Sequence, residues 1–169
     1  SAISKKWKKG RVFLAGDAAH LMPPFMGQGM CAGIRDASNL SWKIAYCLKK
    51  NHSDKLLSTY QSERYSNVKE YIKTTAKMGE FVNAVGTSNI TGNVSSAPDG
   101  QKSMKSIKPK LGKGLGEVQD KNRGKIFPQF KIRNGKLLDD KFSLKPILIL
   151  SKEIKNNISS KLNSIQSKN

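Results

Sequence analysis

Arginine is scarce in this chain, with five residues against 26 lysines in a total of 169. Acidic residues number only 12, so the net charge is +19. That much positive charge raises a polyanion as a partner. The residue that forks onto phosphates and reads guanine edges is nearly missing, however. The lysines are scattered along the chain, and the few aromatics are not interleaved with them. The charge therefore reads as a solvated lysine-rich surface, with no specific nucleic-acid partner. Cysteine is equally sparse. Cys31 and Cys47 stand alone, with no CxxC and no histidine at metal spacing, which excludes a disulfide framework and a thiolate metal site. They read as two reduced, buried thiols of a cytoplasmic protein. No run approaches the roughly 20 apolar residues that cross a bilayer, so no membrane partner is expected. An apolar share of 37% suits one domain, or one and a fraction, with a modest core.

Three kinds of segment are present. Arg11 to Ala15 is a β-branched and aromatic run that reads as a short buried strand ended by Gly16. From about Gly27 to Lys49 the spacing turns helical, with Met30, Ile34, Ala37, Ser41, Ile44 and Leu48 on one stripe. After a turn at Asn51–Asp54, in which Ser53 or Asp54 suits an N-cap, a second helix runs to about Val85. Its stripe is Leu57, Tyr60, Val68, Tyr71, Met78 and Val82. Gly86 to Gly124 then lacks periodicity and reads as disordered in part, or as an extended connector. Phe130 to Leu138 reads as a hairpin turning at Asn134-Gly135. Phe142 to Leu150 is a strand candidate, and a thin amphipathic helix follows from Ser151. Trp7 and Trp42 read as packing residues, His20 as a structural histidine without an acidic partner nearby in sequence, and Arg35 with Asp36 as a surface or interdomain ion pair.

The chemistry concentrates in "GRVFLAGDAAHLMPPFMGQGM", Gly10 to Met30. A carboxylate at Asp17 can accept hydrogen bonds from sugar-like hydroxyls. A helix start near Gly27 to Met30 offers free N–H groups and a positive dipole end to an anion or carbonyl oxygen. Glycines there let a flat ligand approach the backbone.

Gly16-Asp17, Pro24, Gly27-Gln28-Gly29-Met30 and Ala32-Gly33-Ile34-Arg35-Asp36-Ala37 together resemble the second flavin-binding motif of class A flavoprotein aromatic hydroxylases. "HLMPPFMGQGM", "LLSTYQSERY" and "GKIFPQFKI" look most like the phenol and 3-(3-hydroxyphenyl)propionate hydroxylase branch. The resemblance implies an α/β chain, the C-terminal portion of a glutathione-reductase-like FAD-binding monooxygenase fold. On that reading 1–86 is the end of the FAD-binding domain with interdomain helices, 87–141 a connector with a small hairpin, and 142–169 the start of a thioredoxin-like domain. The implied activity is hydroxylation of a phenolic ring with FAD, NADH or NADPH, and O₂. The implied cofactor-binding residues are Gly16, Asp17, Pro24, Gly27, Gln28, Gly29, Met30 and Cys31, with Pro23 and Pro24 lining the flavin and substrate side and no catalytic residue assigned. The first GxGxxG fingerprint is missing from the chain, so its N-terminal half is an expected partner. Cys31 stands where these enzymes usually carry Asn. Two other readings stand beside this one: a flavin monooxygenase acting on a polyketide or quinone precursor, and a non-catalytic basic remnant or binding module.

Overall fold

The computed structural model describes residues 1–50, 54–90, 107–115, 120–132 and 135–142. The chain forms two compact units, Ser1–Ile126 and Phe127–Asn169.

The first unit is dominated by two helices. α1 covers Gln28–Lys50 and α2 covers Lys55–Ile90. Four two-residue strands precede them: β1 (Ala2–Ile3), β2 (Lys8–Lys9), β3 (Val12–Phe13) and β4 (His20–Leu21). β1 pairs antiparallel with β4, Ile3 opposite His20, and β2 pairs antiparallel with β3, Lys9 opposite Val12. The expected strand Arg11 to Ala15 is thus cut to its centre, and it is not buried. Val12 is 66% exposed, because the hairpin has only β2 as a partner and no further strand lies over it among the described residues.

Trp7 organises the core. Its side chain is fully buried, with its indole N–H donated to the Ser4 carbonyl at 3.0 Å. Its ring lies 5.5 Å from that of Tyr60 and 5.4 Å from that of His20. Gln61 of α2 grips the same segment from outside, accepting the Trp7 N–H at 3.0 Å and donating to the Lys5 carbonyl at 2.8 Å. Ala19, Leu40, Tyr60 and Val68 complete the buried apolar cluster.

Of the stripe expected on α1, Ile44 packs against that core but most of the rest does not. Met30, Ile34 and Leu48 are exposed, while Ala32, Asp36, Leu40 and Lys43 are buried. Two charged residues occupy the inner face, so an apolar count pointed to the wrong side of the helix. On α2, Tyr60, Val68 and Tyr71 face inward as expected, but Val82 is exposed. α2 also runs beyond Val85 to Ile90, because Gly86 weakens a helix by only about 1 kcal/mol and no proline stops it. Trp42 is 48% exposed and is therefore no core residue. Both thiols are half-buried and free.

Part of the expected connector is an ordered strap against α2. Asn67 donates to the Pro109 carbonyl at 2.7 Å, Gly112 N–H to the Glu63 carbonyl at 2.8 Å, and Ser62 to the Lys113 carbonyl at 2.5 Å. Leu111 N–H then donates to the Gly124 carbonyl at 2.9 Å, closing the strap on itself.

The second unit holds the expected hairpin. Lys131 bridges Leu137, and Gly135 takes a positive φ of 77° at the turn. Phe142 does not open a strand. It ends α3 (Leu138–Phe142), whose first turn carries Asp139 and Asp140, acids that favour a helix start. The rest of the expected strand and the tail helix lie outside the described residues.

Trp7→Ala is expected to destabilise the chain by about 3–5 kcal/mol in denaturant unfolding. A loss under about 1 kcal/mol would mean that the ring does not organise the core.

Candidate functional site

Asp17 lies in a 3₁₀ turn, Gly16–Ala18, between β3 and β4. Gly16 is left-handed, φ 58°, and its backbone is pressed against α1. A Cβ on Gly16 would lie 3.6 Å from the Gly33 Cα, and one on Gly33 would lie 3.4 Å from the Gly16 Cα. The two glycines let the Asp17 turn seat directly on the second turn of α1. Asp17 itself is exposed and makes no side-chain hydrogen bond or ion pair to another described residue.

A second 3₁₀ turn, Pro24–Met26, leads into α1. Gly27 closes it at φ 59°, donating its N–H to the Pro24 carbonyl at 3.0 Å, a backbone shape that a side chain would strain. Phe25 of this turn lies over Gly79 of α2, where any Cβ would stand 2.2 Å from the ring. Gly79, unnoticed in the sequence, therefore decides where the Pro23-Pro24-Phe25 loop rests. The first four N–H groups of α1 have no partner within the helix. At Gly29 a Cβ would meet nothing within 4 Å, so this helix start is open. Pro24, Gly27 and Met30 are exposed, while Gly16, Pro23, Gln28, Gly29 and Cys31 are half-buried.

What holds the two turns is a buried carboxylate. Asp36 is fully buried, and all three of its hydrogen bonds come from other segments. Gly16 N–H donates to Oδ2 at 3.0 Å, His20 Nε2 meets the same oxygen at 2.6 Å, and Arg64 Nε donates to Oδ1 at 2.7 Å. Burial would raise the Asp36 carboxyl, but the bonds from His20 and Arg64, the Arg64 charge and the Gly16 N–H outweigh it and hold the group below its ordinary value of 3.8. Arg64 also donates to Asn67 Oδ1 at 2.6 Å, so the network continues into the strap. His20 is buried, as a structural histidine should be, and the reading of Asp36 is corrected. His20 does have an acidic partner, sixteen residues ahead in sequence. Asp36 is no surface group, and it pairs with Arg64 rather than Arg35, which instead stacks 5.1 Å from the Tyr71 ring.

A second ion pair lies two turns further along α1. Lys43 Nζ donates to Glu63 at 2.7 Å and to Thr59 Oγ1 at 2.8 Å. Burial lowers the Lys43 ammonium below its ordinary value, and Glu63 offsets part of that shift. Burial and the nearby Asp36 charge push the Tyr60 phenol upward; its hydroxyl donates to the Leu14 carbonyl at 2.9 Å.

An exposed, uncommitted carboxylate can accept hydrogen bonds from hydroxyls, and an open helix start can hold an anion or a carbonyl oxygen. Residues 1–75 match the family described as FAD binding domain. The match spans 75 of the 169 residues and contains both 3₁₀ turns and all of α1. The curated relatives are named as aromatic hydroxylases. A "probable NADH-specific resorcinol 4-hydroxylase" of Rhodococcus jostii (strain RHA1) is 39% identical over 133 residues, which are 76% of this chain and 24% of that protein. A "3-(3-hydroxy-phenyl)propionate/3-hydroxycinnamic acid hydroxylase" of Mycobacterium avium (strain 104) is 45% identical over 82 residues, 48% of this chain and 14% of that protein. Among solved structures, the flavin-dependent monooxygenase PieE in complex with FAD and substrate aligns over 54% of this chain and 16% of its own, with 32% identity and a TM-score of 0.48. The chain thus spans about a quarter or less of the length of these relatives. Among the described residues, no helix is long and apolar enough to cross a membrane, and no cluster of His, Cys, Asp or Glu could hold a metal ion.

Asp36→Ala is expected to cost about 3–5 kcal/mol, since it strands the Arg64 charge and the Gly16 N–H. The Asp36 carboxyl is depressed on folding, so its contribution to stability is full above 3.8 and is lost as pH falls from there through the folded value. Unfolding curves across that acid range should therefore be flatter for Asp36→Asn than for the parent. Equal slopes would mean that the carboxylate is not held as described.

Proposed function

We propose that the whole protein is a FAD-dependent monooxygenase that hydroxylates a phenolic ring, with NADH or NADPH and O₂ as co-substrates. In it, residues 1–86 supply the ribityl- and isoalloxazine-binding part of the cofactor site. The observation that carries the reading is the seating of the uncommitted Asp17 carboxylate on α1 through the Gly16–Gly33 contact, beside an open helix start. The FAD-binding match over residues 1–75 and the hydroxylase names of the relatives support it.

The residues present fit such a cofactor. Asp17 would accept hydrogen bonds from the ribityl hydroxyls. The free N–H groups of Gly29, Met30 and Cys31 would face the pyrimidine end, with the positive end of the 23-residue α1 dipole behind them. Gly27 and Gly29 leave room for a flat ring, and Gln28 braces the bend by donating to the Met26 carbonyl at 3.3 Å. Pro23 and Pro24 would form a wall free of N–H donors on the substrate side, keeping water from the reacting face. FAD, when bound, supplies the hydride-accepting and oxygen-activating chemistry. The protein's part is placement, polarity and dryness.

The adenine and pyrophosphate half of such a site belongs to a GxGxxG-bearing βαβ unit. The coding sequence upstream of Ser1 is expected to contain one, and an unrelated upstream sequence would overturn the enzyme reading. The 169-residue chain by itself should leave FAD fluorescence and absorbance nearly unchanged on titration; micromolar binding with a resolved flavin spectrum would contradict this division of the site. In the whole protein, Asp17→Ala should weaken FAD retention roughly 10- to 150-fold, the worth of a hydrogen bond to a charged group. The variant would purify largely as apoprotein and recover activity with excess FAD. Unchanged cofactor occupancy would remove Asp17 from the site.

A further inference from the structure

A cavity of about 460 Å³ opens between α1, α2 and the strap, and none of the proposed cofactor residues lines it. Its size falls within the range of small-molecule sites. Trp42 and Tyr71 contribute aromatic walls, with Ile34, Pro109 and Ile126 as apolar lining. Every formally charged side chain in the lining is positive: Arg35, Arg64 and Lys125. Arg64 is already balanced by Asp36. Arg35 has no carboxylate partner among the described residues, and its guanidinium is fixed over the Tyr71 ring at 5.1 Å. Lys125 is held by Asn122 Oδ1 at 3.1 Å, a neutral partner, and has no carboxylate partner among the described residues.

We infer that this cavity binds a planar aromatic anion, an aryl carboxylate or an equivalent. Two aromatic side chains favour a flat ring by stacking and by apolar burial. Two cations with no described carboxylate partner at one opening favour a negative group on its edge, and a guanidinium already stacked on Tyr71 spends little conformational entropy in binding it. With no Asp or Glu in the described lining, an amine or a metal cation finds no counter-charge there. The cavity is separate from the proposed cofactor cradle, so the inference stands whether or not FAD binds.

The test uses the 169-residue chain and three probes: naphthoate, the neutral naphthol, and the non-aromatic cyclohexanecarboxylate. Naphthoate should bind saturably in calorimetry and quench tryptophan emission, with Trp42 as the reporter because Trp7 is fully buried in the core. Naphthol and cyclohexanecarboxylate should each bind at least tenfold more weakly. Arg35→Gln and Trp42→Leu, both at exposed positions, should keep the parent's circular dichroism and unfolding midpoint yet weaken naphthoate about tenfold or more. Added FAD should not displace the probe. No saturable binding, equal binding of naphthol, indifference to both substitutions, or displacement by FAD would each overturn the inference.

Discussion

The carboxylate of Asp36 holds the first unit in its one arrangement. Taking a charge out of water costs several kcal/mol, and the cost is offset only when its lone pairs are met by well-placed donors. Here the donors come from three places: the backbone of the Gly16 turn, the ring of His20 in β4, and the guanidinium of Arg64 in α2. Displacing any one of those segments leaves a buried charge short of a partner. One residue on α1 thus sets the position of the turn that carries Asp17 and of the long helix against which α1 packs.

The apolar core could not do this alone. Trp7, Ala19, Leu40, Tyr60 and Val68 form a small cluster, and among the described residues as many buried residues are polar or charged as are apolar. Apolar burial is non-directional and tolerates sliding, whereas hydrogen-bonded charges do not. The polar network also reaches outward. Arg64 passes from Asp36 to Asn67, and Asn67 to the strap at Pro109, so the wall of the cavity and the seat of Asp17 share one chain of hydrogen bonds. Much apolar surface on α1, at Met30, Ile34 and Leu48, stays uncovered by the described residues.

Local signals read well. The helical periods of α1 and α2 and the turn at Gly135 are short-range preferences that act within a few residues, and the described elements follow them. The Gly16-Asp17 and Gly27-Gln28-Gly29 pattern is likewise a local arrangement of backbone freedom and charge. Orientation read poorly. The inner face of α1 is marked by Asp36 and Lys43, residues that an apolar count assigns to solvent, and their partners lie far away in sequence at His20, Arg64 and Glu63. Gly79 carries no signal at all until Phe25 is seen lying over it.

By itself, the sequence determined where the two long helices begin and which residues make the glycine-rich turns. Those features depend on propensities and contacts within one or two turns of chain. Only the tertiary structure decided which side of α1 is inside, that His20 and Asp36 meet, and that Arg35 stands beside a cavity without a counter-charge among the described residues. Burial reverses the preference of a charged side chain once complementary groups arrive from distant segments, and no local pattern records which groups those will be.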